Sequence, residues 1–141
     1  MTAEKENTDI FKAELVAEML AHGVTFRIYS NRIFHVSIPR MHKIGQDVID
    51  SGYAFLEENG GGMFYNIYQF NSFSDVEPEI RAWAADSTGN HYTLSDAIVI
   101  GSLSQKIITD FYLKFNRPIK PTKIFYSLEK AIEWTDEQIL K

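Results

Sequence analysis

Residues 96–141 read DAIVIGSLSQKIITDFYLKFNRPIKPTKIFYSLEKAIEWTDEQILK. Two short apolar runs, 97–100 and 123–126, each lead within a few residues into a segment whose apolar positions recur at helical spacing. Strand then helix, twice over, is the pattern of parallel strands joined by crossover helices, because a parallel neighbour is reached only by a connection long enough to recross the sheet. In the first helix Ile107, Ile108, Phe111, Tyr112 and Phe115 form the inward stripe. In the second, Ser127 supplies the cap, and Leu128, Ile132, Thr135 and Ile139 face inward with Trp134 beside them.

The same reading extends upstream. Ser74-Asp75-Val76-Glu77 has the spacing of a capping box, which predicts a helix burying Val76, Ile80, Trp83 and Ala84. Residues 63–70 form a strand that is apolar on both faces except for Asn66 and Gln69, as a strand covered on both sides requires. Before it, Asn59-Gly60-Gly61-Gly62 ends a helix over 41–58 whose stripe is Ile44, Val48, Phe55 and Leu56. Residues 24–29 and 33–38 are β-branched and aromatic runs around Ser30-Asn31-Arg32, which reads as a tight hairpin with Pro39 closing its second strand. In residues 9–22 two periods compete. Phe11, Leu15 and Met19 make a helical stripe, while Phe11, Ala13, Leu15, Ala17 and Met19 also alternate as a strand would. Good helix formers, Thr8 as a cap and Gly23 as a terminator favour the helix. The expected fold is α/β: a mixed sheet of about five strands, opened by an antiparallel hairpin, with helices packed on it. Residues 1–22 are then a polar tail plus helix, and 23–141 a single domain.

Composition bounds the function. The 141 residues are 45% hydrophobic and 13% aromatic, enough for a real core, and carry a net charge of −5. Without a clustered basic face the chain is not built for nucleic acid. It contains no cysteine, hence no disulfide, thiolate nucleophile or cysteine metal site. Its first residues are polar, and no apolar run approaches the ~20 residues of a membrane span, so a soluble, cytoplasmic protein is expected.

The strand Ala97-Ile-Val-Ile-Gly, the helix ending Asp110-Phe-Tyr-Leu-Lys-Phe, the segment Lys120-Pro-Thr-Lys-Ile-Phe and the closing Leu128-Glu-Lys-Ala-Ile-Glu-Trp resemble the SpoIIAA-like, or STAS, family of anti-sigma-factor antagonists. The resemblance spans roughly 24–140 and implies a non-enzymatic module that binds a protein partner, a kinase-like regulator among them. It also implies that the loop after the third strand carries a phosphorylatable serine. Here that loop holds Phe70, Asn71, Ser72, Phe73, Ser74 and Asp75, where the family has an Asp-Ser-Ser-Gly run. Ser74 is explained by helix capping, which leaves Ser72 as the switch candidate. Relatives of this kind are also likened to a lipid-binding fold. Of the aromatics Phe64, Tyr65, Tyr68, Phe70, Phe73, Phe111, Tyr112 and Phe115 most belong to the core, and the alternative function is a small-molecule or lipid pocket lined by some of them between sheet and helices.

Nothing else in the chain has the spacing of a catalytic, metal or nucleotide motif, and no cofactor is expected. His22, His35, His42 and His91 lack ligand spacing. Asp75, Glu77 and Glu79 fit the start of a helix better than an acid–base pair. The glycines at 60–62 leave a helix rather than open one, unlike a phosphate loop, and Gly101-Ser102-Leu103-Ser104 reads as a helix cap. A homodimer is expected to use an exposed strand edge such as 24–29, or the N-terminal helix.

Overall fold

In the computed structural model, which describes residues 9–80, 93–116 and 120–141, six strands form one mixed sheet in the order β1-β2-β3-β5-β7-β8. They are β1 (Leu15–Ala21), β2 (Val24–Tyr29), β3 (Ile33–Ile38), β5 (Phe64–Phe70), β7 (Thr93–Val99) and β8 (Thr122–Phe125). A two-stranded ribbon pairs β4 (Lys43–Ile44) with β6 (Asp75–Val76). Among the described residues the complete helices are α1 (Gln46–Glu58), α2 (Leu103–Asn116) and α3 (Leu128–Ile139), with a 3-10 turn at Asp9–Phe11 and a further helical stretch at residues 78–80. β1, β2 and β3 are antiparallel in sequence, and β3, β5, β7 and β8 run parallel.

The expected α/β class and opening hairpin are present, but the sheet has one more strand than expected, because residues 15–21 are not helical. Ala17, Met19 and Ala21 pack inward, and the strand pairs with β2 from Leu15↔Tyr29 to Ala21↔Val24. The turn between them, His22-Gly23, has φ of +53° and +80°, the backbone a two-residue type I′ hairpin needs. Gly23 thus serves a hairpin and not a helix end. Pairing with β2 overrides helix propensity, since an isolated helix of this length is marginal in water. It also makes β2 an interior strand, so the edge expected at residues 24–29 belongs instead to β1.

Smaller departures follow from local chemistry. α1 starts at Gln46 rather than 41, because residues 43–44 are spent on the ribbon with β6. β7 is longer than residues 97–100, starting at Thr93. At the β2–β3 turn the left-handed residue is Arg32, with φ +72°, and Arg32 N–H donates to the Tyr29 carbonyl. The Arg32 guanidinium donates to the carbonyls of Gly61 and Met63 and lies 4.0 Å over the Phe64 ring, tying the hairpin to the entry of β5. Ile107 of α2 is exposed rather than inward. The side chains of Ile108, Phe111, Tyr112 and Phe115, and residues Trp83, Ala84 and His91, lie outside the described residues.

Two apolar layers flank the sheet. On one face Val24, Phe26, Ile28, Phe34, Val36 and Ile38 meet Val48, Phe55 and Leu56 of α1. The Phe34 ring lies 6.0–6.3 Å from those of Phe26, Phe55 and Phe64, and Phe26 lies 6.2 Å from Phe55, in stacked or tilted pairs. On the other face Phe11, Tyr29, Ile33, Ile67, Ala97 and Val99 meet Leu128, Ala131 and Ile132 of α3, whose Ser127 cap accepts from the Lys130 amide as expected. Each fully buried Val, Leu, Ile or Phe among these contributes about 1.5–3 kcal/mol of transfer free energy. With both faces covered, β5 is apolar throughout apart from Asn66, which donates to Thr93 Oγ1 and the Asp96 carboxylate, and Gln69, whose Oε1 accepts from His35 Nε2.

Candidate functional site

The loop between Phe70 and Asp75 leaves the carboxyl end of β5, the side of a parallel sheet where connections converge. Asn71 fixes its start, donating through both its amide N–H (3.1 Å) and its side-chain Nδ2 (2.8 Å) to the Ile38 carbonyl at the end of β3. Residues 71–74 then form a tight turn in which Ser74 N–H donates to the Asn71 carbonyl at 3.0 Å. Phe73 is at its third position with φ +63°. That position suits glycine, and a side chain there costs roughly 1 kcal/mol.

A second turn of the same kind lies alongside. His42 N–H reaches the Pro39 carbonyl at 3.4 Å, and Met41 occupies the corresponding position with φ +59°. The two turns are stitched together by Met41 N–H to the Ser72 carbonyl (3.0 Å), Asp75 N–H to the His42 carbonyl (2.9 Å) and Glu77 N–H to the Ile44 carbonyl (3.0 Å). Each carries an apolar side chain outward from a left-handed residue.

This ribbon corrects the expected capping box. Residues 75–76 are strand, and the Ser74 hydroxyl donates to the Asn71 carbonyl at 2.6 Å instead of accepting from Glu77. Glu77 N–H is already committed to β4. Helical backbone begins at residue 78, where Pro78 fits a first helical position because it has no N–H to satisfy. Asp75 accepts from the Val76 amide at 2.7 Å. The Glu77 carboxyl is held above the ordinary carboxylate range, first by its hydrogen bond with Glu79 and then by partial burial and nearby acids, with Lys43 opposing.

Gln105, which sequence reasoning did not single out, is the organiser of the site. It is buried in the first turn of α2. Its Nε2 donates to the carbonyls of Asn71 (2.8 Å) and Ser74 (2.9 Å), and its Oε1 accepts from Gly101 N–H at 2.7 Å. Ser102 Oγ accepts from the Gln105 amide at 3.3 Å, so Gly101-Ser102 caps the helix as expected. The Ser102-x-x-Gln105 spacing of a capping box was the available signal. Ser72 lies against this turn, its Oγ 3.4 Å from the Gly101 carbonyl; a Cβ at Gly101 would come within 3.0 Å of that Oγ. Of the two candidate serines, Ser74 is buried and Ser72 half-buried.

The remaining candidates stay apart. His22 Nδ1 pairs with Asp47 at 3.4 Å, His35 is buried on β3, and His42 lies beside Gly23. Among the described residues no three His, Asp or Glu side chains converge as metal ligands, and no helix is long and apolar enough to cross a membrane. Of the expected pocket aromatics, Phe64 is fully buried in the α1-side core and Tyr68 and Phe70 pack against it. A depression of about 400 Å³ lies elsewhere, between β8 and α3, lined by Lys123, Phe125, Tyr126, Lys130, Trp134 and Glu137 among others.

Known proteins bear on the fold. A solved structure of an uncharacterised protein of the DUF3478 family from Shewanella loihica PV-4, described as having a SpoIIAA-like fold, superposes with a TM-score of 0.51 over 86% of this chain and 92% of that one, at 12% identity. The SpoIIAA-like architecture implied by residues 97–134 is therefore the fold this chain adopts. No curated protein matches it. The family model described as Domain of unknown function (DUF7793) matches residues 21–139, nearly the whole chain, and the protein belongs to that family.

Proposed function

We propose that this protein is a non-enzymatic, cytoplasmic protein-interaction module, akin to the regulatory partners that its sequence resembles. Its contact surface is the pair of turns at 39–42 and 71–74 with the first turn of α2. The observation that carries this reading is that Met41, Phe73 and Leu103 stand 74%, 60% and 72% exposed around one hydrogen-bonded platform. Exposed apolar groups gathered on one platform mark binding sites, and a left-handed backbone that lifts Phe73 outward adds a conformational cost to the solvation cost. A protein partner, a kinase-like regulator on the resemblance, docks its apolar groups here. A phosphate on Ser72 would be pressed towards the Gly101 carbonyl and would oppose docking.

The test is affinity capture from the native host with wild type, Phe73→Asp, Leu103→Asp and Ser72→Asp, and with Leu140→Asp, an exposed apolar position beyond the end of α3, as a control. Loss of the same partner in the first three, with the control retaining it, supports the surface. Equal capture by all would remove it. A small apolar ligand is the second reading, favoured by the depression beside the Phe125–Trp134 pair, whose rings are 5.7 Å apart. Native mass spectrometry of the freshly purified protein separates the two, since a tight ligand would travel with the chain.

A further inference from the structure

β1 is the outermost strand of the sheet, and among the described residues nothing pairs with its outer edge. Its seven residues read Leu-Val-Ala-Glu-Met-Leu-Ala. Leu15, Val16 and Leu20 are 41%, 60% and 72% exposed, on a part of the sheet that α3, seated over β5, β7 and β8, does not reach. Soluble proteins commonly blunt such edges with lysine, proline or an inward charge. β1 has no lysine or proline, and its one charge is already engaged: Glu18 Oε2 accepts from Arg27 Nε at 2.5 Å. The strand has a single irregularity, between Leu15 and Ala17; residues 17–21 pair regularly with β2.

The polarity of β1 is symmetric about Glu18. Ala17 matches Met19, and the Leu15-Val16 corner matches Leu20. Directly opposed residues of an antiparallel pair share a face. A two-fold axis through Glu18 therefore sets Leu20 of one copy against the Leu15-Val16 corner of the other, and Ala17 against Met19. Sliding the pairing by two residues in either direction sets Leu20 against Glu18 or Glu14 instead. The central register alone keeps all seven residues of the strand paired within 15–21, with every opposed pair apolar except Glu18 against itself. It places the two Glu18 side chains opposite each other, each neutralised by its own Arg27.

We propose that β1 pairs antiparallel with β1 of a second copy of this chain about Glu18, joining the two six-stranded sheets into one continuous sheet. This interface is separate from the docking surface above and stands or falls without it. Each copy carries −5, so the copies repel at long range and added salt tightens the association.

Sedimentation velocity on the full chain at tens of micromolar should give twice the 16.2 kDa chain mass. Leu20→Lys, at an exposed position where the fold does not depend on the side chain, should return the mass to that of one chain with an unchanged circular dichroism spectrum. The absence of cysteine provides a register test. Under mild oxidant Glu18→Cys should cross-link to itself, whereas Leu20→Cys should not, because its own copy lies four residues away along the strand. A monomeric wild type, a dimer that survives Leu20→Lys, or cross-linking at 20 and not at 18 would each overturn the proposal.

Discussion

His35 makes the stability of this fold sensitive to mild acid. The imidazole is 1% exposed in the middle of β3, with Nε2 2.8 Å from Gln69 Oε1 and the Phe11 ring 5.1 Å away. The groups facing it from neighbouring elements are Arg27, which is ion-paired to Glu18, and the buried Tyr29, whose own hydroxyl is pushed up to about 12 by burial. Burial is the main cause that drives His35 down from 6.5 to about 4; the Gln69 hydrogen bond raises it and the Arg27 charge lowers it further. In the unfolded chain the same side chain protonates near 6.5. Between these two values the unfolded state binds more protons than the folded one, so stability is complete above pH 6.5 and falls as pH drops towards 4. At about 1.4 kcal/mol per pH unit, lowering the pH from about 7 to about 4.5 removes roughly 2.5 kcal/mol. That is a substantial part of the 5–15 kcal/mol typical of a domain. Urea melts across this range, on wild type and on His35→Gln, isolate the effect because every carboxylate is common to both proteins. The wild type should lose roughly 2.5 kcal/mol more than the variant. Parallel pH profiles for the two proteins, or a His35 ring resonance titrating near 6.5, would refute the reasoning.

Three further outcomes follow from the geometry. Gln105→Ala strips hydrogen bonds from the Asn71 and Ser74 carbonyls and from Gly101 N–H, and should cost about 2 kcal/mol in a denaturant melt. It should also speed hydrogen exchange at the Gly101 amide well before global unfolding. Phe73→Gly relieves a left-handed side chain while losing little burial, and should stabilise the fold by about 0.5 kcal/mol even as it weakens partner capture; a clear drop in melting temperature would contradict it. Arg32→Ala removes the guanidinium bonds to Gly61 and Met63 and the contact over Phe64, and should cost about 1–2 kcal/mol in the same assay.

The fold was legible where one period dominated. Residues 97–139 alternate strand and helix signals, and those elements form with ends shifted by a few residues. Residues 24–38 announced their hairpin through β-branched runs and a polar turn, whose left-handed residue is Arg32. The N-terminal segment was misread because Ala, Leu, Glu and Met suit both periods, and because a left-handed glycine closes helices and hairpins alike. Only the partner strand, which sequence spacing does not show, decides between them. The candidate loop was found from its position after the third strand. Its internal wiring was not, because the β4–β6 ribbon joins two-residue segments some thirty positions apart, too short to leave a periodic trace. The Ser-x-x-Glu spacing at 74–77 looked like a cap for the same reason: local geometry allows it, and a distant carbonyl on Ile44 claims the amide first.

The shape of residues 71–74 is held by two positions about thirty residues downstream, Gly101 with its missing side chain and Gln105 with its amide. Inheritance should reflect that arrangement. A lineage that enlarges residue 101 must reshape the turn holding Ser72, and one that replaces Gln105 must find another donor for two carbonyls. Across an alignment of relatives, positions 72, 101 and 105 should therefore change as a group, while exposed Phe73 varies on its own schedule, following whatever it meets.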